Sequence, residues 1–186
     1  MINVEKIVCG LLKENCYILY DSNKNALIID PGGHFDTIHN FILQNWLNVC
    51  GILLTHGHFD HIGAVKPLQD LGYKVYIHQL DSDKCSNLEL SLAKQFSRIE
   101  TFVPDYTFEC DKQVLNIGGF EVTVLHTPGH SKGSCCFCID KYLFSGDTLF
   151  HNGYGRTDFY DGNSGQLFES LNLLKNYAHL QLMPGH

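Results

Sequence analysis

Thr55-His56-Gly57-His58-Phe59-Asp60-His61 is the stretch that decides how this chain is read. It follows directly on residues 49–54, a continuous apolar run of the kind that forms a buried strand. Three histidines and an aspartate within six residues at a strand's carboxyl end are poor core material. Imidazoles at i and i+2 converge on one cation only where the backbone bends, and Gly57 permits that bend. Asp60 and His61 fall at the start of the next helical segment, where a carboxylate is favoured by the helix dipole.

Three later segments repeat the pattern of an apolar strand followed by a ligand-type residue. Residues 122–125 lead to His126-Thr127-Pro128-Gly129-His130, residues 142–144 to Ser145-Gly146-Asp147, and residues 180–183 to Pro184-Gly185-His186. A glycine directly before each of His130, Asp147 and His186 allows close backbone approach to a crowded site. Four strand ends that all deliver His or Asp point to one metal centre rather than to four unrelated turns.

The rest of the composition bounds the alternatives. The chain has 186 residues, 44% hydrophobic and 18% charged, which reads as one globular domain over 1–186. Lys plus Arg is 13 against 20 for Asp plus Glu, a formal charge of −7, and Arg98 and Arg156 are the two arginines. Phosphate backbones reward basic surfaces, so a nucleic-acid partner is not expected. The N-terminus lacks the basic and apolar regions of a signal peptide, and no stretch has the roughly 18 apolar residues of a membrane span. The eight cysteines therefore read as reduced core thiols of a cytoplasmic protein with no membrane partner. On a strand, Cys136 and Cys138 face one way and Cys135 the other.

Periodicity supplies the elements. Strands are predicted over 3–9, 16–20, 26–30, 49–54 and 74–78, and helices over 36–45, 60–71 and 84–97. The second half reads as strands over 106–110, 113–117, 120–125, 134–139 and 142–145, then a helix over 166–179. Gly118-Gly119 and Asp140-Lys141 are tight hairpin turns. Strands and helices in both halves suggest sheets covered by helices.

With these motifs in view the chain resembles the metallo-β-lactamase superfamily, through THGHFDH at 55–61, HTPGH at 126–130, SGDTLF at 145–150 and PGH at 184–186. It is similar in particular to the short glyoxalase II-like (hydroxyacylglutathione hydrolase-like) branch, through IIDPGG at 28–33, LHTPGHSKGS at 125–134, GRTDF at 155–159 and LFESL at 167–171. The resemblance implies an α/β fold, a four-layer αββα sandwich of two mixed sheets flanked by helices. It implies two divalent ions: His56, His58 and His130 around the first, Asp60, His61 and His186 around the second, and Asp147 bridging both. Asp60 and Asp147 are the carboxylates assigned a catalytic part. Zinc is the first expectation, with iron or manganese open, because histidine and carboxylate donors suit all three. His126 reads equally as a group supporting a ligand ring or as a plain strand-end histidine.

The implied activity is hydrolysis of a thioester, S-lactoylglutathione or a similar 2-hydroxyacyl thioester, by a hydroxide bridging the ions. A thiolate leaving group, from a thiol of pKa near 8.5, needs little protonation, and no separate acid is evident in the sequence. Lactone or other ester hydrolysis, and a mononuclear-iron persulfide dioxygenase-type oxidation, are the competing readings. Arg156 is either an anchor for an anionic substrate or the partner of Asp158 or Asp161, and Phe159 is a candidate aromatic wall. Tyr154 reads equally as pocket wall or loop packing. Members of the family usually continue past P-G-H, so the chain is read as shortened at His186 or as lacking that part, which leaves the second ion site and glutathione recognition less secure than the first site.

Overall fold

The computed structural model describes residues 2–96, 99–109 and 111–186. Its first sheet sets β1 (Asn3–Cys9), β2 (Glu14–Tyr20), β3 (Asn25–Ile29), β4 (Asn48–Leu53), β5 (Val75–His78) and β6 (Tyr106–Phe108) side by side in chain order. The first three are antiparallel neighbours, and β3 to β6 run parallel. The second sheet contains β7 (Gln113–Ile117), β8 (Phe120–His126), β9 (Cys135–Ile139), β10 (Tyr142–Gly146) and β11 (Gln181–Pro184), in spatial order β11–β10–β9–β8–β7. Its strands alternate in direction except for β10 and β11, which are parallel.

Alternation along the strands builds the layers. Cys16, Ile18, Ala26, Ile28, Ile52 and Ile77 point to one side of the first sheet, where they pack with Ile38 and Ile42 of α1 (Phe35–Gln44) and Val65 and Leu68 of α3 (Val65–Asp70). Their neighbours Tyr17, Leu19, Leu27, Ile29 and Leu53 point the other way and meet Val122, Val124, Phe137 and Phe144 of the second sheet. Leu125, Cys136 and Leu143 on the outer face of that sheet pack with Leu174 of α6 (Ser164–Leu174). The result is the four-layer αββα order that the motifs imply, and β2, β3 and β10 are buried almost throughout because both of their faces are covered.

Both hairpin turns are present. Gly118 and Gly119 have φ of 60° and 89° between the paired Ile117 and Phe120, the left-handed conformations that a two-residue turn between twisted strands requires. Asp140 at φ 54° starts the second.

Two predicted helices are broken by contacts outside the helix. The 60–71 segment splits into α2 (Phe59–Ile62) and α3, because the Ala64 amide donates to Pro31 O at 2.8 Å and ties the chain to the β3 exit loop. The 84–97 segment contains α4 (Ser82–Ser86) and α5 (Ala93–Phe96). Between them the Asn87 side chain accepts from the Glu89 and Leu90 amides, a local bonding pattern that competes with helix continuation. Ser97 and Arg98, like Cys110 at the end of the predicted 106–110 strand, lie outside the described residues. The last predicted helix ends early, at Leu174, and passes into one 3₁₀ turn (Lys175–Tyr177).

The seven described cysteines are free thiols, and five of them are buried. Cys135 and Cys138 have C-x-x-C spacing, yet along β9 they point to opposite faces of the sheet, as the strand reading predicts. Among the described residues no helix is long and apolar enough to cross a membrane.

Candidate metal centre

The strands deliver their following residues to one edge of the sandwich. Asp30 follows β3, His56 and His58 follow β4, His130 follows β8, Asp147 follows β10 and His186 follows β11. The two sheets are stitched together there, with the Cys135 amide donating to Thr55 O at 2.8 Å. The Pro184–His186 segment is pinned as well. Tyr17 Oη and Asn15 Nδ2 donate to Pro184 O at 2.7 and 3.0 Å, and the Asn15 amide donates to Gly185 O at 2.8 Å. A Cβ at Gly185 would stand 2.5 Å from Asp147 Oδ1 and 2.9 Å from His61 Cε1, so only glycine fits between these groups.

All seven residues that the motifs single out converge here. His56, His58 and His130 form one set, and Asp60, His61 and His186 a second; in each, the donor atoms lie within 4.8 Å of one another and could hold a metal ion. Asp147 stands between the sets, Oδ1 lying 3.3 Å from His61 Nε2 and 3.6 Å from His186 Nε2, and Oδ2 3.5 Å from His130 Nε2. Asp60 Oδ2 is 3.3 Å from His186 Nε2.

The orientation of the rings is the most informative feature. His61 Nδ1 donates to Asp30 Oδ2 at 2.9 Å, His130 Nδ1 to Arg156 O at 2.8 Å and His186 Nδ1 to Leu12 O at 3.1 Å. His56 Nδ1 lies 3.1 Å from Thr55 Oγ1, whose own proton goes to Asp30 Oδ2 at 2.5 Å. Each of these four imidazoles thus commits its Nδ1–H outward, which leaves the Nε2 lone pair turned inward. His58 Nδ1 faces His130 Nε2 at 2.9 Å. Nε2 of His56 and His61 and Oδ1 of Asp147 are buried with no hydrogen-bond partner, a costly arrangement that a cation resolves. The donor set therefore fits divalent metal.

Electrostatics agree with that fit. Burial, followed by the surrounding histidines, holds His56 well below its usual range; burial with His130 and Lys84 brings His58 down to about 3. Both are neutral donors near pH 7. Burial alone would also lower His61, but Asp147, Asp60 and Asp30 together push it well above the ordinary value. Burial opposes ionisation of Asp147, and His61 overcomes it, holding the carboxyl well below the usual range. The carboxylates demand positive charge at this point, as a proton or as a cation.

Sequence reasoning missed Asp30 and Thr55 as supports. Asp30 sits inside IIDPGG, a stretch that reads as a strand-ending turn, and only the fold brings it under His61; its φ of 48° and the Thr55 amide on its Oδ1 at 2.7 Å show a constrained position. His126 does not support a ligand ring. It stacks on His78 at 4.3 Å, and its Nε2 donates to Lys132 O at 3.0 Å.

Beside the centre lies a cavity of about 370 Å³, lined by Leu12, Leu92, Phe150 and Phe159 as well as by donor-set residues, with Arg156 at its rim. The Phe159 ring packs against His58 and His130, with centroids 5.0 and 5.6 Å away. Arg156 is held by Asp158 through two bonds of 2.6 Å, and its guanidinium lies 4.8 Å from the Phe159 centroid. Asp161 pairs elsewhere, with Lys84. Tyr154 lines a separate apolar depression beside α6.

Comparison with known proteins agrees. Residues 9–186 match the model of the metallo-β-lactamase superfamily. The chain is 37% identical to hydroxyacylglutathione hydrolase GloC of Haemophilus influenzae, over 99% of this chain and 90% of that protein. It superposes on the crystal structure of BLEG-1 B3 metallo-β-lactamase with a TM-score of 0.94 at 35% identity, covering 99% and 91% of the two chains. Against TTHA1623 in a di-iron-bound form the TM-score is 0.84 at 33% identity, with 98% and 91% covered. The sheets, the converging strand ends and these likenesses agree: the chain belongs to the metallo-β-lactamase superfamily, as a metal-dependent hydrolase.

Proposed function

We propose that the protein is a binuclear thioester hydrolase acting on S-lactoylglutathione or a similar 2-hydroxyacyl thioester. His56, His58 and His130 would hold one ion and Asp60, His61 and His186 the other, with Asp147 placed between the two sets to serve both. The observation that carries this reading is the pair of donor sets with lone pairs turned inward around one shared carboxylate. Zinc is the metal we assign first; the di-iron form of TTHA1623 makes iron the alternative. The likeness to GloC supports the thioester class.

Bound divalent ions lower the pKa of water from about 15.7 to about 7 and polarise a carbonyl oxygen, which is the chemistry they supply here. The chain's own residues do the rest. Asp30, Thr55 and the Leu12 and Arg156 carbonyls keep the imidazoles in one tautomer and direction. Phe159 and Leu92 give the cavity an apolar wall beside the donor set, against which an acyl group would rest. Arg156 at the rim receives an anionic end of the substrate. A thiolate leaves without a proton donor, so the lack of a general acid in the donor set is no obstacle.

The test is thiol release from S-lactoylglutathione by protein whose bound ions are counted, run beside lactones, simple esters and β-lactams. The reading predicts two ions per chain and turnover of the thioester above the others. Loaded protein that leaves the thioester intact contradicts it. A single iron with oxygen consumption on glutathione persulfide would replace it by the dioxygenase reading.

A further inference from the structure

One buried lysine joins three loops around the centre. Lys84 on α4 is 1% exposed, and its Nζ donates to Asp81 Oδ1 at 2.7 Å and to Asp161 Oδ2 at 2.6 Å. Asp81 is fully buried and accepts three further bonds: Gly133 N on Oδ1 at 2.8 Å, and Gly57 N and Ser131 Oγ on Oδ2 at 2.9 and 2.8 Å. All four of its lone-pair positions are thereby used. Burial opposes its ionisation, but Lys84 and these donors hold it below the usual carboxylate range.

The arms of this cluster end at different parts of the centre. Gly57 lies between His56 and His58, and Ser131 and Gly133 follow His130. Asp161, which also accepts from the Lys132 amide at 3.3 Å, closes the loop that carries Arg156 and Phe159. The two glycines explain themselves by contact. A Cβ on Gly57 would stand 2.7 Å from Lys84 Cβ, and one on Gly133 2.7 Å from Asp81 Oδ1. Gly57 is not among the residues of positive φ, so it serves close approach to this cluster rather than the bend its sequence position suggests.

We propose that Asp81 and Lys84 are positioning residues that lock the cavity loop 155–161 to both histidine loops, so that loosening one loosens the others. No other cation pairs with either carboxylate among the described ion pairs, which makes Lys84 the sole charge holding the two together. Removing it leaves two buried carboxylates facing one vacated position, a large penalty. The proposal rests on the metal-centre reading for its effect on turnover, but not for its effect on loop motion.

The test is backbone hydrogen exchange by mass spectrometry on metal-loaded wild type and Asp161→Asn, without substrate. Loss of a charge-assisted bond speeds exchange of residues 155–163 about tenfold, and the proposal requires segments 55–58 and 131–134 to speed as well. Faster exchange confined to 155–163 would overturn it. With thioester, the same variant raises KM more than it lowers kcat, a split that general destabilisation does not produce. Lys84→Met speeds all three segments together while Lys84→Arg, which keeps the charge, stays near wild type; should Lys84→Met fail to fold, Asp161→Asn and Lys84→Arg still decide. If the wild type turns over no thioester, the functional reading fails while the exchange pattern still decides the proposal.

Discussion

Asp30 and His61 form a carboxylate–imidazole pair beneath the centre, Oδ2 to Nδ1 at 2.9 Å, with neither side chain more than 3% exposed. The pair fixes which nitrogen of His61 faces Asp60 and Asp147, and the same Asp30 oxygen takes the Thr55 hydroxyl that orients His56. Asp30→Asn puts an amide donor against one of these donors. It should weaken metal binding about 10- to 100-fold, the usual cost of losing such an outer partner, read by competition with a chromophoric chelator. Unchanged affinity would show that the His61 ring needs no such support.

Removing the ions should destabilise the fold. The carboxylates of Asp60 and Asp147 and the unpartnered imidazole nitrogens are compensated by the cations, so binding favours the native state. At about a thousandfold excess over Kd the linkage is worth about 4 kcal/mol. Thermal unfolding with and without chelator should therefore differ by on the order of 10 °C for a chain of this size. Equal transitions would mean that the donor sets bind no ion in the native state.

Arg156 is turned toward Asp158 rather than left free for substrate. Asp158→Asn releases the guanidinium. A pair this exposed contributes little, so KM for an anionic thioester should fall by at most about fivefold, while KM for an uncharged thioester stays put. Steady-state kinetics on both substrates check it, and an equal change in the two would remove Arg156 from substrate recognition.

His78 gives the fold an acid-sensitive point. Burial and the stacked His126 push it down to about 4. The unfolded chain takes up this proton near pH 6.5 and the native state resists it, so stability is lost as pH falls from about 6.5 through 4. His78→Asn has no such proton to gain. Between pH 7 and pH 4.5 its urea midpoint should fall less than that of the wild type; parallel falls would assign the acid sensitivity to other groups.

The strands and the convergence of seven donor-type residues were legible because both follow from local rules. Continuous apolar runs mark the buried strands at 16–19 and 27–29, and glycine followed by His or Asp marks the strand ends. What was not legible depends on distant partners. The 84–97 segment has helical periodicity, yet Lys84 is drawn to Asp161, 77 residues away, and the Asn87 side chain interrupts the helix. Asp30 reads as a turn residue until β3 and β4 pair in parallel and place it against Thr55. His126 differs from His130 only by where its ring lands, on His78 instead of in the centre.

The bridging assignment of Asp147 is the point on which the account turns, and counting ions in Asp147→Ala tests it most directly. The account predicts two ions per wild-type chain, fewer than one in the dialysed variant, and loss of thioester hydrolysis with them. A variant that keeps both ions and its turnover would contradict it.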